Sequence, residues 1–142
     1  MHFLQLSMLG FLLILQQTCS RDKDYNHEDL LNSQWELVSV NDKTIDSAVK
    51  RPTLLFVEEG SKTNGFAGCN QFFGTYSLGA DSLSFSGLGS TKMFCEQSQK
   101  LEDQYLKALS SITHFVVSQE GNRLTLLSNA EPLLEFREGK AN

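Results

Sequence analysis

The segment that decides the fold is Gly65-Phe-Ala-Gly-Cys-Asn-Gln-Phe-Phe-Gly-Thr-Tyr76. Its three glycines permit a positive φ or a close approach between two backbones. Asn70 tolerates a left-handed conformation and can hydrogen-bond neighbouring backbone amides. Phe72, Phe73 and Tyr76 are bulky enough to contribute to a core. The segment therefore predicts two short strands with a tight bend between them.

The flanking sequence also favours strands. Runs rich in β-branched, aromatic and aliphatic residues are separated by short clusters of turn formers such as Asn, Asp and Gly. These runs cover residues 34–41, 52–58, the neighbourhood of 83–85, 114–119, 123–128 and 132–137. The last three predict a terminal meander of antiparallel strands.

Residues 97–112 have a helical rather than an alternating pattern. Their apolar side chains recur at i, i+4, i+7, i+8 and i+11, on one face of an α-helix: Leu101, Tyr105, Ala108, Leu109 and Ile112. A shorter helical turn fits residues 27–31. The chain is thus predicted to have an α+β fold, a curved antiparallel sheet or partly open barrel covered by one main amphipathic helix.

The N-terminus has the pattern of a secretory signal. Residues 3–15 are almost wholly apolar and carry no charge. They are too short for a membrane span, which needs about 20 residues, and they suit the apolar region of a signal peptide. We predict a signal peptide at residues 1–18, because a strongly polar stretch follows at 21–29. The alternative is a buried strand or helix of the domain itself.

Cys19 directly follows this apolar region, and its position resembles the lipobox of bacterial lipoproteins. A lipobox usually has an aliphatic residue at −3 and a small one at −1, where this chain has Gln16 and Thr18. We predict lipidation of Cys19 and a polar tether at residues 19–28. The alternative is ordinary cleavage after Ser20. Both routes place the mature chain outside the cytosol, where disulfides persist, and lipidation anchors it to a membrane of the cell envelope.

Residues 29–138 contain no Pro- or Ser-rich linker, so we predict one domain there and a short tail at 139–142. The chain of 142 residues is long enough to bury a core without a metal. Its net charge of −5 lacks the basic excess of a nucleic-acid-binding protein, so we expect no nucleic-acid partner.

Two motifs together resemble the META/HslJ family. The first is Gly68-Cys-Asn-Gln-Phe-Phe-Gly-Thr-Tyr76, and the second is Thr91-Lys-Met-Phe-Cys95. The opening Trp35-Glu-Leu and the segment at 52–56 extend the resemblance, which covers roughly residues 30–137. The family motif falls on Gly68, Asn70, Phe72, Gly74, Tyr76, Thr91 and Met93.

The resemblance implies a small envelope or secreted domain, often a lipoprotein, with links to heat-shock or antibiotic tolerance in some members. It implies no particular biochemical activity. It also implies an intradomain disulfide between Cys69 and Cys95, which on the chain-entropy model contributes about 3.5 kcal/mol for a loop of this length. Two buried free thiols are the alternative.

The sequence contains no strong catalytic or metal-binding motif. The three histidines lie at positions 2, 27 and 114, far apart in the chain, so we predict no metal or cofactor. His114 is expected to be half-buried in a strand. The acidic pairs at 58–59 and 102–103 are expected to be solvated, and residues 87–92 to form a plain loop, since they lack the spacing of a phosphate-binding loop. We therefore predict that the protein is not an enzyme.

The leading hypothesis is a non-catalytic envelope lipoprotein that supports stress or antibiotic tolerance by binding an envelope protein. One alternative is a carrier of a small apolar ligand or lipid, with a cavity lined by phenylalanines: Phe66, Phe72, Phe73, Phe85 and Phe94. Another is an enzyme inhibitor that uses an exposed loop at 41–50 or 58–64.

Overall fold

The computed structural model describes residues 27–31, 33–118, 120 and 122–139. The predicted signal peptide, Cys19, most of the tether and residues 140–142 lie outside these ranges. Within them, no helix has the length and apolar character needed to cross a membrane.

The described part of the chain forms a single antiparallel sheet with two α-helices and a single 3-10 turn at Glu59–Ser61. The strands are β1 (Gln34–Val40), β2 (Lys43–Thr44), β3 (Thr53–Val57), β4 (Lys62–Phe66), β5 (Gln71–Leu78), β6 (Leu83–Ser90), β7 (His114–Val117), β8 (Arg123–Ser128) and β9 (Glu131–Glu138). The helices are α1 (His27–Leu31) and α2 (Gln99–Leu109). The strand order is β6-β5-β4-β3-β1-β9-β8-β7, with β2 paired to β1.

The sheet curls into a half-barrel, and α2 contacts β1 and β9. This architecture confirms the predicted α+β fold with a curved antiparallel sheet and one main helix. The predicted bend between two strands is also confirmed, because it separates β4 from β5. The short helical turn at 27–31 is α1, and the main helix is shorter than its apolar pattern suggested.

Three stretches expected to be loops contain strand residues, and the first is 41–50, where residues 43–44 form β2 and pair with β1. Residues 62–64 belong to β4, whose inward positions are Thr63 and Gly65, so no apolar alternation marks the strand. Thr63 is buried and its hydroxyl donates to the carbonyl oxygen of Leu55 (3.0 Å). Residues 87–90 belong to β6 and pair with the start of β5, as shown by the register of Phe73 with Gly89. The Gly- and Ser-rich composition of this stretch hides its strand character.

Trp35 attaches the first helix to the sheet. Its side chain is fully buried on β1, and the indole Nε1–H donates to the carbonyl oxygen of Leu30 in α1 (3.0 Å). Leu30 is buried as well. A buried indole N–H needs a partner, and the end of α1 supplies one. The described start of the domain is therefore part of the core.

Tyr105 of α2 bridges the concave side of the half-barrel. Its ring lies edge-on to Phe72 of β5 (centroids 5.7 Å apart) and to Phe136 of β9 (6.2 Å). These two strands are separated by β4, β3 and β1 in the sheet order. One side chain can contact both strands only if the sheet is curled around it. The contacts of Tyr105 therefore stabilise the curvature of the sheet.

The hydroxyl of Tyr105 is used as well. Burial raises the pKa of this phenol well above its ordinary value, so it stays protonated and donates to the carbonyl oxygen of Thr53 (3.1 Å). Gly65 permits this arrangement, since a Cβ at that position would collide with the Thr53 carbonyl. The absence of a side chain at Gly65 therefore allows the close approach of β3 to β4 beneath α2.

Removal of parts of the Tyr105 side chain is expected to destabilise the fold in steps. Tyr105→Phe leaves the Thr53 carbonyl without its partner and should cost about 1–2 kcal/mol of unfolding free energy. Tyr105→Ala also removes the ring and should cost about 3–5 kcal/mol. Urea denaturation measures both. Lys107→Ala, an exposed position on the same helix, is the control and should change stability by less than about 0.5 kcal/mol. Equal stability of Tyr105→Phe and the wild type would contradict the role of the hydroxyl.

Candidate functional site

The bend between β4 and β5 packs against the first turn of α2. Residues 67–70 of the bend are all buried. Gly68 has φ +132° and lies against the backbone of Ser98 and Glu102, where a Cβ would be about 3.5 Å from both. A residue with this φ is strained unless it is glycine. Gly68 therefore lets the bend approach the helix with its amide groups directed at one side chain.

That side chain is Glu102. Its carboxylate accepts hydrogen bonds from the backbone N–H of Cys69 (2.9 Å), the backbone N–H of Asn70 (2.7 Å) and the Asn70 Nδ2 amide (2.7 Å). Glu102 is only 3% exposed, so its predicted solvation is wrong, whereas its neighbour Asp103 is exposed as expected. The reason is geometric, since Glu102 shares the buried face of α2 with Tyr105 and Leu109 at i+3 and i+7.

Asn70 connects this carboxylate to the second motif. Its Oδ1 accepts from the backbone N–H of Met93 (2.7 Å) and the hydroxyl of Thr91 (2.9 Å). Its Nδ2 donates to the carbonyl oxygen of Met93 (2.9 Å) and to Glu102. All four hydrogen-bonding positions of the amide are used. Asn70 was expected to bind nearby backbone amides, but its side chain binds a segment more than twenty residues away.

A disulfide joins Cys69 to Cys95, with Cα atoms 5.8 Å apart. This bond confirms the pairing implied by the family resemblance. The disulfide fixes the C-terminal end of the second motif, and the hydrogen bonds of Asn70 fix its middle at Met93. Residues 91–94, here called the 91–94 segment, are therefore attached to the bend at Thr91, at both backbone groups of Met93 and immediately after Phe94.

The hydrogen bonds of Glu102 determine its protonation state. Burial alone raises the pKa of a carboxyl group, but here the Asn70 side chain, the two backbone amides and the charge of Lys92 outweigh it. The pKa of Glu102 is consequently lower than that of an ordinary glutamate. The carboxylate is ionised at neutral pH and all three of its hydrogen bonds carry a charge.

Neutralising Glu102 should destabilise the protein in a pH-dependent way. Glu102→Gln is expected to lose roughly 3 kcal/mol of unfolding free energy at pH 7, because it removes a charged acceptor and turns the N–H₂ group of the new amide toward N–H donors that need an acceptor. Since the folded pKa is lowered, the wild-type advantage exists above the unfolded pKa of about 4.3 and disappears as the pH falls through the folded pKa. Thermal unfolding between pH 7 and pH 2 measures this.

The matched control is Asp103→Asn, which removes the same charge from the next, exposed position of α2. It should be nearly as stable as the wild type at every pH. A constant difference between the wild type and Glu102→Gln across the whole pH range would contradict a lowered pKa for Glu102.

Loss of the disulfide should destabilise the domain without changing its fold. The bond closes a loop with a sequence separation of 26, for which the chain-entropy model gives about 3.5 kcal/mol. The double variant Cys69→Ser/Cys95→Ser should unfold at a lower denaturant concentration than the wild type. Reductant should lower the denaturant concentration at which the wild type unfolds to that of the variant, and it should leave the variant's own value unchanged. A wild type that does not respond to reductant while its thiols become accessible would contradict this contribution.

The 91–94 segment presents two large apolar side chains to solvent. Met93 is 62% exposed and Phe94 is 79% exposed. Phe73 is 57% exposed as well, although it was expected to contribute to the core. Strand alternation explains this, because Phe72 and Tyr76 point inward from β5 and Phe73 points to the other face.

The five phenylalanines of the carrier hypothesis do not share one surface. Phe72 and Phe85 are buried in the core, whereas Phe73 and Phe94 are exposed. Phe66 is half-buried, with the Lys50 ammonium 4.4 Å from its ring centre. The remaining motif residues are structural, since Gly74 is half-buried and Tyr76 is buried edge-on to Phe56 (5.1 Å).

A groove runs between the 91–94 segment and α2. It consists of two adjoining depressions of about 200 Å³ and 340 Å³, which share Ser90, Lys92 and Leu106. The smaller one reaches Met93, Phe94 and Asp103. The larger one reaches Leu88, Lys107 and Ser110.

The described residues include no group of three or more His, Cys, Asp or Glu side chains that could hold a metal ion. His114 is exposed on β7 rather than half-buried, and its Nδ1 lies 2.9 Å from the Thr113 hydroxyl. The folded motifs bring the polar side chains of Asn70 and Thr91 together with Glu102, and Asn70 hydrogen-bonds to both of the others.

A curled antiparallel sheet, a helix on its concave side and a disulfide-bonded pair of motif segments define a small α+β domain built around a structural site. The sequence model of the META domain matches residues 28–140. The chain therefore belongs to the META domain family, as the two motifs predicted.

Solved structures agree with this assignment. An NMR structure of a protein from Burkholderia xenovorans is 27% identical to this chain, with a TM-score of 0.66, and covers 81% of this chain and 88% of its own. A second NMR structure is 28% identical, with a TM-score of 0.60, over 77% of this chain and 92% of its own. Among curated proteins, no relative matches the chain.

Proposed function

We propose that this META domain is a non-catalytic lipoprotein of the bacterial cell envelope that binds a partner protein through its 91–94 segment. The observation that carries the proposal is the exposure of Met93 and Phe94 on a segment held rigidly from below. Large apolar side chains are usually withdrawn from water. Here two adjacent ones are held out by a buried hydrogen-bond network and a disulfide.

Rigidity favours binding. A mobile loop loses conformational entropy when it docks, whereas a segment already fixed by Asn70 and Cys95 loses only the side-chain freedom of Met93 and Phe94. Aromatic side chains and Met are also enriched in the buried centres of protein interfaces. The 91–94 segment thus has both the composition and the preorganisation of a binding surface.

The polar cluster beneath it supports a binding role over a catalytic one. The Glu102 carboxylate already accepts three hydrogen bonds and its pKa is lowered, so it is neither free nor basic enough to abstract a proton at neutral pH. The Asn70 amide is fully used. Each group therefore serves to position the 91–94 segment.

The N-terminal sequence and the cysteines support the proposed compartment. The apolar region at residues 3–15 and Cys19 have the arrangement of a lipoprotein signal. A structural disulfide is typical of proteins outside the cytosol. A lipid anchor at Cys19 would keep the domain beside the membrane, where partner binding could support the envelope under stress or during antibiotic exposure.

Photo-crosslinking in intact cells tests the binding surface. Phe94 is replaced by p-benzoylphenylalanine, and the same replacement at Val116, an exposed apolar position on β7 away from the 91–94 segment, is the control. We expect ultraviolet light to crosslink an envelope protein to the Phe94 position at least tenfold more efficiently than to the Val116 position. Equal capture at both positions, or none at either, would refute a partner-binding role for the 91–94 segment.

The anchor is tested separately by labelling cells with an alkyne fatty acid. The wild type should carry the label and sediment with membranes, and Cys19→Ser should lose both properties. Wild-type protein that is unlabelled and begins at Arg21 would show cleavage after Ser20 instead of lipidation.

A further inference from the structure

The half-barrel is open between its two end strands, β6 and β7. Among the residues that the structure describes, these strands meet only at the start of β6, where the Leu83 N–H donates to the Thr113 carbonyl (3.1 Å) and the Phe115 N–H donates to the Asp81 carbonyl (3.1 Å). Beyond Leu83, no described residue forms a backbone pair with the outer side of β6. The second half of β6 is therefore an open sheet edge.

The pairing with β5 shows which backbone groups lie on this edge. The Thr91 N–H donates to the Gln71 carbonyl (3.0 Å), so residue 91 is directed towards β5. Backbone groups of alternate residues in an antiparallel strand point to opposite sides. The N–H and carbonyl groups of Leu88 and Ser90 consequently point outward. A bulge at Gly87 (φ +60°) separates them from the first half of β6.

The larger depression of the groove lies along this edge. Leu88 and Leu106 supply apolar lining from β6 and α2, and both pack against the core. Lys92 and Lys107 supply positive charge from the two sides. The acidic Asp103 lines only the smaller depression, nearer to Phe94, and accepts a hydrogen bond from Gln99. The end of the groove beside Leu88 is thus apolar at its base and basic at its rim.

Three kinds of occupant fit an apolar groove, and the chemistry of the edge separates them. An acyl chain would bury the outward N–H and carbonyl groups of β6 without partners, which is costly. A second copy of the chain, paired edge to edge, would bring two sets of Lys92 and Lys107 together. An extended peptide satisfies the backbone groups by strand addition, and an acidic side chain on it pairs with the lysines.

We propose that the groove binds an extended peptide of the partner, which adds as a strand to β6 at Leu88–Ser90 and places an acidic side chain between Lys92 and Lys107. This inference rests on the proposed partner-binding function. The Met93–Phe94 pair, which lines the adjoining depression, extends the same contact surface.

The test uses the full chain, purified in detergent, and an array of random ten-residue peptides. We expect the selected peptides to alternate β-branched residues with others, to contain Asp or Glu and to lack a central Pro. Stepwise N-methylation of one selected peptide is the decisive measurement. Methyl groups at alternate amides should weaken binding at least tenfold, and those at the intervening amides should have little effect, because only every second N–H faces β6.

Charge-reversal variants test the lysines. Lys92→Glu and Lys107→Glu should each weaken binding of the acidic peptide about tenfold, whereas Lys100→Glu, exposed on α2 outside the groove, should not. The proposal would be overturned if no peptide is selected, or if the effects of N-methylation do not alternate along the peptide. It would also be overturned by a co-purified lipid that none of the peptides displaces, or by a dimer in sedimentation that is lost in Lys107→Glu. Crosslinking from Phe94 in cells without peptide selection would leave partner binding supported and refute strand addition.

Discussion

The motif region depends on the burial of one negative charge, that of Glu102. An isolated carboxylate inside a protein is very costly, and it persists only where hydrogen bonds and counter-charge compensate it. The bend of residues 67–70 supplies two backbone donors and the Asn70 amide, and Lys92 adds a positive charge. The compensation is mutual, because the same bonds give buried backbone amides of the bend an acceptor that the sheet does not provide. The bend and the helix therefore have one relative position in which the carboxylate and the backbone amides all have hydrogen-bond partners.

Helix α2 transmits this position to the rest of the domain. Glu102 and Tyr105 are three residues apart on the same face, so one helix fixes the position of the carboxylate that holds the bend relative to the ring that spans the sheet. Tyr105 contacts β5 and β9, and its hydroxyl reaches β3. The curvature of the sheet and the placement of the motifs are consequently coupled through a single helix face.

Local periodicity explains which features could be predicted. The alternation in β1 and β8 and the 3.6-residue spacing in α2 are visible in a few neighbouring residues. β4 was partly missed because its inward positions hold Thr63 and Gly65. The hydrogen-bond partners of Glu102 lie 32 and 33 residues away in the sequence, so no local pattern predicts them. The sequence still contained one indication of this site. A helical projection places Glu102 on the apolar face with Tyr105 and Leu109, and a carboxylate on a buried face must have hydrogen-bond partners.

The exposed side chain of Phe94 follows from two constraints of different physical origin. On one side, the backbone of Met93 is held by hydrogen bonds to Asn70, whose orientation depends on an ionised Glu102. On the other side, Cys95 is held covalently. The covalent constraint is independent of pH but needs an oxidising compartment, whereas the hydrogen-bonded one is independent of redox state but needs a pH above the carboxyl pKa. Because the backbone is held on both sides of Phe94, this residue cannot move toward the core to bury its ring. The folded chain therefore keeps a large apolar side chain exposed to solvent.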